Sequence, residues 1–363
     1  MRTYLILSKA VTEHDAVGNE IAIMAELFSG IGRCLVYAEE RRNPRLKYVE
    51  AAQLPALLQD NDTIAVYHHS TCWAKGEEYL RMADGRQLIR YHGVTPPEYY
   101  HDYNADTEEA CRLGREQTLR MAAELKKARW LCDSAFLASE LRGIAAAGRV
   151  SVFPLFHRTE DWANASPGEA LLRELVFNDK LNLLFVGRAA PQRKVEMLLD
   201  ILRIYRENYG DTITLRMLGR QDPELESYYA HLRALVEEYG LSDCVYLLGE
   251  VSEDQMSAYY LGCDFFISVS EHEGFCVPIV EAQYYKMPVI LRDAAALPET
   301  GGEGALVLGD DAKEYAAALH VLRQREDLRR WLRNRGRENY ERRFNADWMK
   351  QRFRGILKEY DMV

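Results

Sequence analysis

Residues 265–282 read Phe-Phe-Ile-Ser-Val-Ser-Glu-His-Glu-Gly-Phe-Cys-Val-Pro-Ile-Val-Glu-Ala, and their order decides the fold. Phe265–Val269 is short, apolar and bounded by polar residues, as expected of a buried strand. Gly274 permits a tight turn, and Pro278 suits the first turn of a helix. Glu281 then falls about one turn inside that helix, with Glu273 on the loop before it. A strand feeding a helix through a tight loop is the repeating unit of a parallel sheet.

Working outward, the same unit recurs through residues 181–323. Strands are expected at Leu181–Val186, Thr212–Met217, Val245–Leu248, Phe265–Val269, Val289–Leu291 and Ala305–Val307. Helices are expected at 193–208, 222–239, 253–261, 278–285 and 311–323. A first series precedes it, with strands at Tyr4–Leu7, Cys34–Ala38, Thr63–His68, Gln87–Tyr91, Trp130–Cys132 and Val150–Phe153. Its helices are expected at Glu20–Ser29, Glu108–Ala128 and Ala135–Ala146. Between the series, residues 155–180 read as a connection carrying one short helix. The chain ends in helical segments at 324–342 and 346–360.

The fold class expected is therefore α/β, with two Rossmann-like parallel-sheet domains facing each other across a cleft. The boundaries fall at 1–155 and 156–345, and a C-terminal helix, 346–363, rejoins the first domain. A chain of 363 residues has the length for two such cores. Ligands in such sheets bind outside the carboxyl ends of the strands.

Charge and cysteine usage narrow the function classes. The 46 Lys+Arg against 56 Asp+Glu give a formal net charge of −10, which disfavours nucleic acid as a partner. Residues 166–320 carry 13 basic and 26 acidic groups, whereas 321–358 carries 13 and 5. That basic segment suits an anionic membrane surface, a solvated helix face or an interdomain clamp. The seven cysteines are scattered and never spaced as CxxC, which disfavours a disulfide framework or a zinc site. The N-terminal apolar run is too short for a signal peptide, and no stretch is long enough to span a membrane. A soluble cytoplasmic protein is expected, at most peripheral on the inner face of the membrane.

Two segments carry chemistry. Residues 274–277 open a helix, so their free backbone N–H groups form an anion site. Glu273 and Glu281 stand around it, placed to accept hydrogen bonds from sugar hydroxyls; a solvated loop acid followed by a helix-surface acid has the same spacing. The second segment, Leu183–Lys194, ends a strand in Gly187 and follows it with Arg188, Arg193 and Lys194. Three cations at a strand's carboxyl end suit a diphosphate held without metal.

These residues resemble the nucleotide-sugar-dependent glycosyltransferases of family 4, which have the GT-B fold. The matching stretches are FVGRAAPQRKVEMLL, LRMLGR, VYLLGEVSEDQMSAYYLGCDFFISVSEHEGFCVPIVEA, MPVIL and LPETGGEGALVL. The resemblance implies that Glu273 faces the donor sugar and Glu281 the ribose. It implies a diphosphate site at Gly187, Arg188 and Arg193. Lys194 stands where the family usually has Gly, as a rival to Arg193. The base-reading loop falls at Leu248-Gly249-Glu250-Val251, where backbone groups act. Gly274, Phe275, Cys276 and Val277 supply the amides.

The first half resembles the family more weakly. The loop from His14 to Glu20 contains one glycine, Gly18, which in similar enzymes approaches the donor phosphates or the acceptor. A lone glycine is not a dinucleotide-binding fingerprint. His92, in Arg90-Tyr91-His92-Gly93, stands where the family places a histidine that hydrogen-bonds the transferred sugar.

The function implied is a retaining transfer of a hexosyl unit from a nucleotide sugar to an acceptor hydroxyl of a glycan or lipid-linked oligosaccharide. Mannose from GDP-mannose is the favoured donor, in surface polysaccharide or glycoconjugate synthesis. Glu273, His92, Arg188 and Arg193 are the expected catalytic residues. The departing phosphate itself takes the acceptor proton, and neither cofactor nor metal is required. A nucleotide-sugar 2-epimerase of the same fold, and a non-catalytic nucleotide-sugar-binding subunit, are the alternatives. Asp60-Asn61-Asp62 has the form of a metal-binding Asp-x-Asp but precedes a strand, on the side of the sheet away from ligands. His68-His69 ends a strand on the ligand side and suits an acceptor contact.

Overall fold

The computed structural model describes residues 2–13, 15–146, 148–162, 166–210 and 212–363. Two compact units emerge, Met1–Glu98 with Asp106–His157 and Asn345–Val363, and Tyr99–Ala105 with Arg158–Phe344. The chain thus leaves the first unit after His157 and re-enters it at Asn345. Tyr99–Ala105 differs from the sequence expectation, which placed it in the first domain. Its anchors explain the difference: Asn104 Nδ2 donates to Glu224 O at 2.7 Å, Ser227 Oγ donates to Tyr103 O at 2.9 Å, and the Tyr103 ring meets Tyr228 edge-on.

The first unit is built on β1 (Thr3–Thr12), β2 (Arg33–Arg42), β3 (Thr63–His69), β4 (Gln87–Tyr91), β5 (Arg129–Cys132) and β6 (Val150–Val152). All pairings are parallel, in the order β2-β1-β3-β4-β5-β6. Strands buried on both faces read as continuous apolar runs, and every residue of β3 is buried. Alternate residues supply the two faces. Leu5, Leu7, Tyr67, Ile89 and Trp130 pack on one side; Tyr4, Ile6, Val66, Leu88 and Leu131 pack on the other. The second face is closed by Met349, Phe353, Ile356 and Leu357 of the C-terminal helix Ala346–Glu359.

The second unit has β7 (Leu181–Val186), β8 (Ile213–Leu218), β9 (Val245–Gly249), β10 (Phe265–Ser268), β11 (Val289–Arg292) and β12 (Ala305–Leu308). The parallel order is β12-β11-β10-β7-β8-β9. Strand order therefore reverses between β7 and β10, and a reversal of this kind opens a crevice at the carboxyl ends of the two strands.

All twelve expected strands form, with ends displaced by a few residues. Helices Leu54–Leu58 and Ala74–Met82 were not expected. The helix expected over Ala135–Ala146 stops at Glu140. In the basic segment, helix Glu326–Arg343 spends much of its charge internally: Arg329 and Arg333 pair with Glu326, Arg335 with Glu338, and Arg337 with Glu341. Among the described residues no helix is long and apolar enough to cross a membrane.

Candidate functional site

The loops leaving β7 and β10 meet at the strand-order reversal of the second unit. After β7 the chain turns through Gly187 and a short 3-10 turn, Pro191–Arg193, before helix Val195–Tyr209. Lys194 joins the two with a left-handed backbone, φ 51°. The glycine that the family usually carries here is what such a φ favours. After β10, Cys276 takes a left-handed φ of 72° and opens helix Val277–Tyr284, with Pro278 in its first turn. The backbone N–H groups of residues 274–277 make no hydrogen bond to another described residue. This is the usual state of a helix N-terminus awaiting an acceptor.

The two loops are tied together. Gln192 O accepts from the Glu271 amide at 2.9 Å, and Arg193 is ion-paired with the Glu273 carboxylate. Glu273 is buried, and its carbonyl accepts from Ala296 N at 3.2 Å. Lys194 Nζ lies 3.5 Å from Glu271 Oε2, while Arg292 Nη1 donates to Glu271 Oε1 at 3.0 Å. Of the two rival cations, Arg193 is therefore the one joined to Glu273. Arg188 donates to Asp222 Oδ2 at 2.9 Å and to Tyr100 OH at 3.3 Å. Asp222 and Glu271 were not singled out in the sequence, and only the fold brings them to these cations.

Gly249 closes β9, and its carbonyl accepts from Gly219 N at 2.9 Å. A side chain on Gly219 would stand 2.3 Å from the Gly187 carbonyl oxygen, so the ends of β7, β8 and β9 are drawn close by glycine. Glu250 is exposed and Val251 half-buried, packed against the core.

Glu281 is not a surface acid. It is buried, and it accepts a short hydrogen bond at Oε2 from the Tyr260 hydroxyl. Burial raises its pKa to about 7, against the opposing effect of the Tyr260 bond. Tyr260 stacks on Tyr285 with ring centroids 5.3 Å apart, and Tyr285 OH meets Ser257 Oγ at 2.9 Å.

The first unit holds a second polar centre, at the carboxyl ends of its strands. Arg90 is fully buried and donates to Glu20 Oε1 at 2.8 Å, to Leu131 O at 3.0 Å and to Pro154 O at 3.0 Å. Its Nη1 also lies 2.9 Å from Asp133 Oδ1. His92 Nδ1 donates to Asp133 Oδ2 at 2.9 Å, because a carboxylate only accepts. His92 Nε2 then accepts from His68 Nδ1 at 3.0 Å. Burial holds His68 well below the usual imidazole pKa, in keeping with a neutral ring. Its Nε2 is left as a bare, unpaired acceptor. Both nitrogens of His92 are thus engaged, and the hydrogen bond to a sugar expected from the sequence requires one of these contacts to break. His69 meets Thr118 Oγ1 at 2.7 Å inside the core, which places it away from the acceptor role considered for it.

Glu20, His68 and His92 each present one ligand-type atom within 4.8 Å of the others. A cation there would displace the His68–His92 bond, strand a buried N–H on His68 Nε2, and sit beside the Arg90 guanidinium. The donor set fits a hydrogen-bond chain better than an ion site. Gly18, in the loop after β1, is buried, and a side chain on it would stand 1.8 Å from the Thr12 carbonyl oxygen. That contact alone demands glycine. His14, in the same loop, lies outside the described residues.

Residues 170–339 match the family described as glycosyl transferases group 1. The O-antigen chain mannosyltransferase RfbU of Salmonella typhimurium is 29% identical over 178 residues, 48% of this chain and 46% of that protein. A D-inositol 3-phosphate glycosyltransferase of Geodermatophilus obscurus is 28% identical over 172 residues, 45% of this chain and 38% of that protein. The chain matches less than half the length of either curated relative. Anabaena HepE, solved with UDP and glucose, superposes with a TM-score of 0.78 at 14% identity, over 99% of this chain and 100% of that one. With its two six-stranded parallel sheets and a group 1 glycosyltransferase match across most of the second, the chain has the fold of the GT-B glycosyltransferases.

Proposed function

We propose that the protein is a glycosyltransferase that moves a hexosyl unit from a nucleoside diphosphate sugar to an acceptor hydroxyl in polysaccharide synthesis. The observation that carries this reading is the pairing of Arg193 with Glu273 beside the unbonded amides of 274–277, with Arg188 on the same loop after β7, at the reversal between β7 and β10. A diphosphate leaving the anomeric carbon gains negative charge as its bond breaks. Fixed cations and amides stabilise that charge without reorganising. Glu273 offers a buried acceptor to a sugar hydroxyl and Glu281 to the ribose. The resemblance to family 4 supports retention of configuration, with the departing phosphate itself taking the acceptor proton from the same face. The group transferred is read as mannose, on the strength of the RfbU resemblance, with the reaction independent of metal.

The test is incubation of the protein with GDP-mannose, UDP-glucose and UDP-N-acetylglucosamine, each with and without oligosaccharide acceptors, in the presence of EDTA. Mass spectrometry reads the product and NMR its anomeric configuration. A hexose added to an acceptor with retention is expected. Conversion of the donor to its 2-epimer without an acceptor would establish the epimerase instead.

A further inference from the structure

Glu281 is held unlike the other acids of the second-unit site. Glu273 and Glu271 are each matched to a cation, whereas the Glu281 side chain has one hydrogen-bond partner among the described residues, the Tyr260 hydroxyl at Oε2. Tyr260 lies in helix Glu253–Gly262, and Glu281 lies in helix Val277–Tyr284. Tyr260 is fully buried, its ring lies flat against Tyr285 at an interplanar angle of 2°, and Tyr285 is in turn tied to Ser257 on the Tyr260 helix. The phenol therefore has no freedom to follow the carboxyl; the carboxyl is held to the phenol.

We propose that Tyr260 is a positioning residue for donor binding: by holding Oε2 of Glu281, it leaves Oε1 as the oxygen offered to a ligand hydroxyl. The inference rests on the reading of Glu281 as a donor contact. A phenol that donates to a carboxylate favours its ionised form, and an ionised carboxylate accepts more strongly from a sugar hydroxyl than a carboxylic acid does. Tyr260 thus fixes the rotamer of Glu281 and opposes the protonation that burial favours. The other titratable groups near Glu281 are Cys276 and Tyr285. Burial pushes the Cys276 thiol up to about 11 and raises the Tyr285 phenol, so neither changes charge near neutrality.

Tyr260→Phe keeps the stack on Tyr285 and removes only the hydroxyl. The Glu281 carboxyl is followed by carbon-13 NMR in the ligand-free protein, with Glu281→Gln to assign its signal. The expected result is a midpoint at least half a pH unit higher in Tyr260→Phe than in the wild type. Tyr285→Phe, which keeps the same stack and leaves the Tyr260 hydroxyl in place, is expected to leave the midpoint where it was. An unmoved midpoint in Tyr260→Phe, or an equal shift in both variants, overturns the proposal. Calorimetric titration with UDP-glucose and GDP-mannose between pH 5.5 and 8.5 supplies the functional arm. The Tyr260→Phe affinity profile is expected to move to higher pH with the NMR midpoint. If Glu281→Gln binds both nucleotides as the wild type does, the donor role of Glu281 falls, and with it the inference. If Glu281→Gln weakens binding while Tyr260→Phe leaves the profile in place, the inference falls alone.

Discussion

The guanidinium of Arg193 is ion-paired with the carboxylate of Glu273 across the loops that follow β7 and β10. Both groups are largely withdrawn from water, so each satisfies a charge that would otherwise be stranded. A diphosphate sugar arriving here offers Arg193 a second anion and Glu273 a hydroxyl donor. Under the proposed function the pair is a resting arrangement of two groups that the transfer would use separately.

Glu273→Gln keeps the shape of the acid and removes its charge. Turnover is expected to fall by roughly a hundred-fold or more, with the melting temperature within a few degrees of wild type. Steady-state kinetics beside a circular-dichroism melt check both halves. Near-normal turnover in the folded variant would sink the role given to Glu273.

Arg193 and Lys194 make unequal partners for a diphosphate. Arg193→Ala is expected to lose about 3–4 kcal/mol of transition-state stabilisation, a few hundred-fold in kcat/KM. Lys194 is 40% exposed and lies 3.5 Å from Glu271, so Lys194→Ala is expected to cost less than about ten-fold. Measured kcat/KM values in the reverse order would transfer the second phosphate contact to Lys194.

Lys194 also bears a backbone cost. A left-handed φ disfavours a residue with a Cβ by about 1–2 kcal/mol relative to glycine. Lys194→Gly gives back part of this through the greater freedom of its unfolded chain, so its unfolding free energy is expected to equal or slightly exceed that of wild type. Lys194→Val, with a branched Cβ, is expected to lose stability. Urea unfolding of the two variants side by side reads the contrast.

Glu281 gives stability a dependence on pH. Its folded-state pKa is raised from 4.5 to about 7, so the folded protein binds the proton more tightly than the unfolded chain. That contribution is complete below about pH 4.5 and is lost as pH rises through about 7. Its full size is about 3 kcal/mol. Glu281→Gln cannot ionise, so it should gain on the wild type as pH rises from 5 to 8. Unfolding free energies that run parallel across that range would refute the assignment.

The Arg90–Glu20 pair in the first unit is buried completely. Removing one member leaves the other charge without its main partner, at a cost of about 3–5 kcal/mol. Arg90→Ala is expected to show this as a lowered urea midpoint for the first unit. A loss below about 1 kcal/mol would mean that Asp133 and solvent compensate.

Much of the fold was legible because parallel strands buried on both faces leave apolar runs that survive in a single sequence. Phe265–Ser268 and Leu181–Val186 needed only their length and flanking turns to be placed. Helix Ala74–Met82 was missed because Gly76 and Glu77 take buried positions beside Tyr79 and Leu80, and Glu77 is buried through Arg81 and Arg120 instead of through hydrophobicity. Arg188, Arg193 and Glu273 were legible from their position after strands. Tyr260, Asp222 and Asp133 were not, since each acquires its meaning from a partner distant in sequence. The burial of Glu281 was hidden for the same reason: an acid inside a helix looks solvated until the neighbouring helix supplies its phenol.

The return of residues 345–363 to the first unit has a consequence for synthesis. Tyr4 donates to Met362 O at 2.7 Å, and Phe353 packs with Phe28, Phe153 and Phe156. On a ribosome the first unit therefore waits, with part of one face of its sheet uncovered, until helix Ala346–Glu359 has been translated. The second unit needs nothing beyond Phe344 and can complete its core first. The part made earliest is finished latest, and during that interval Phe28, Phe153 and Phe156 lack the helix that covers them, which leaves the nascent chain open there to aggregation and to chaperones.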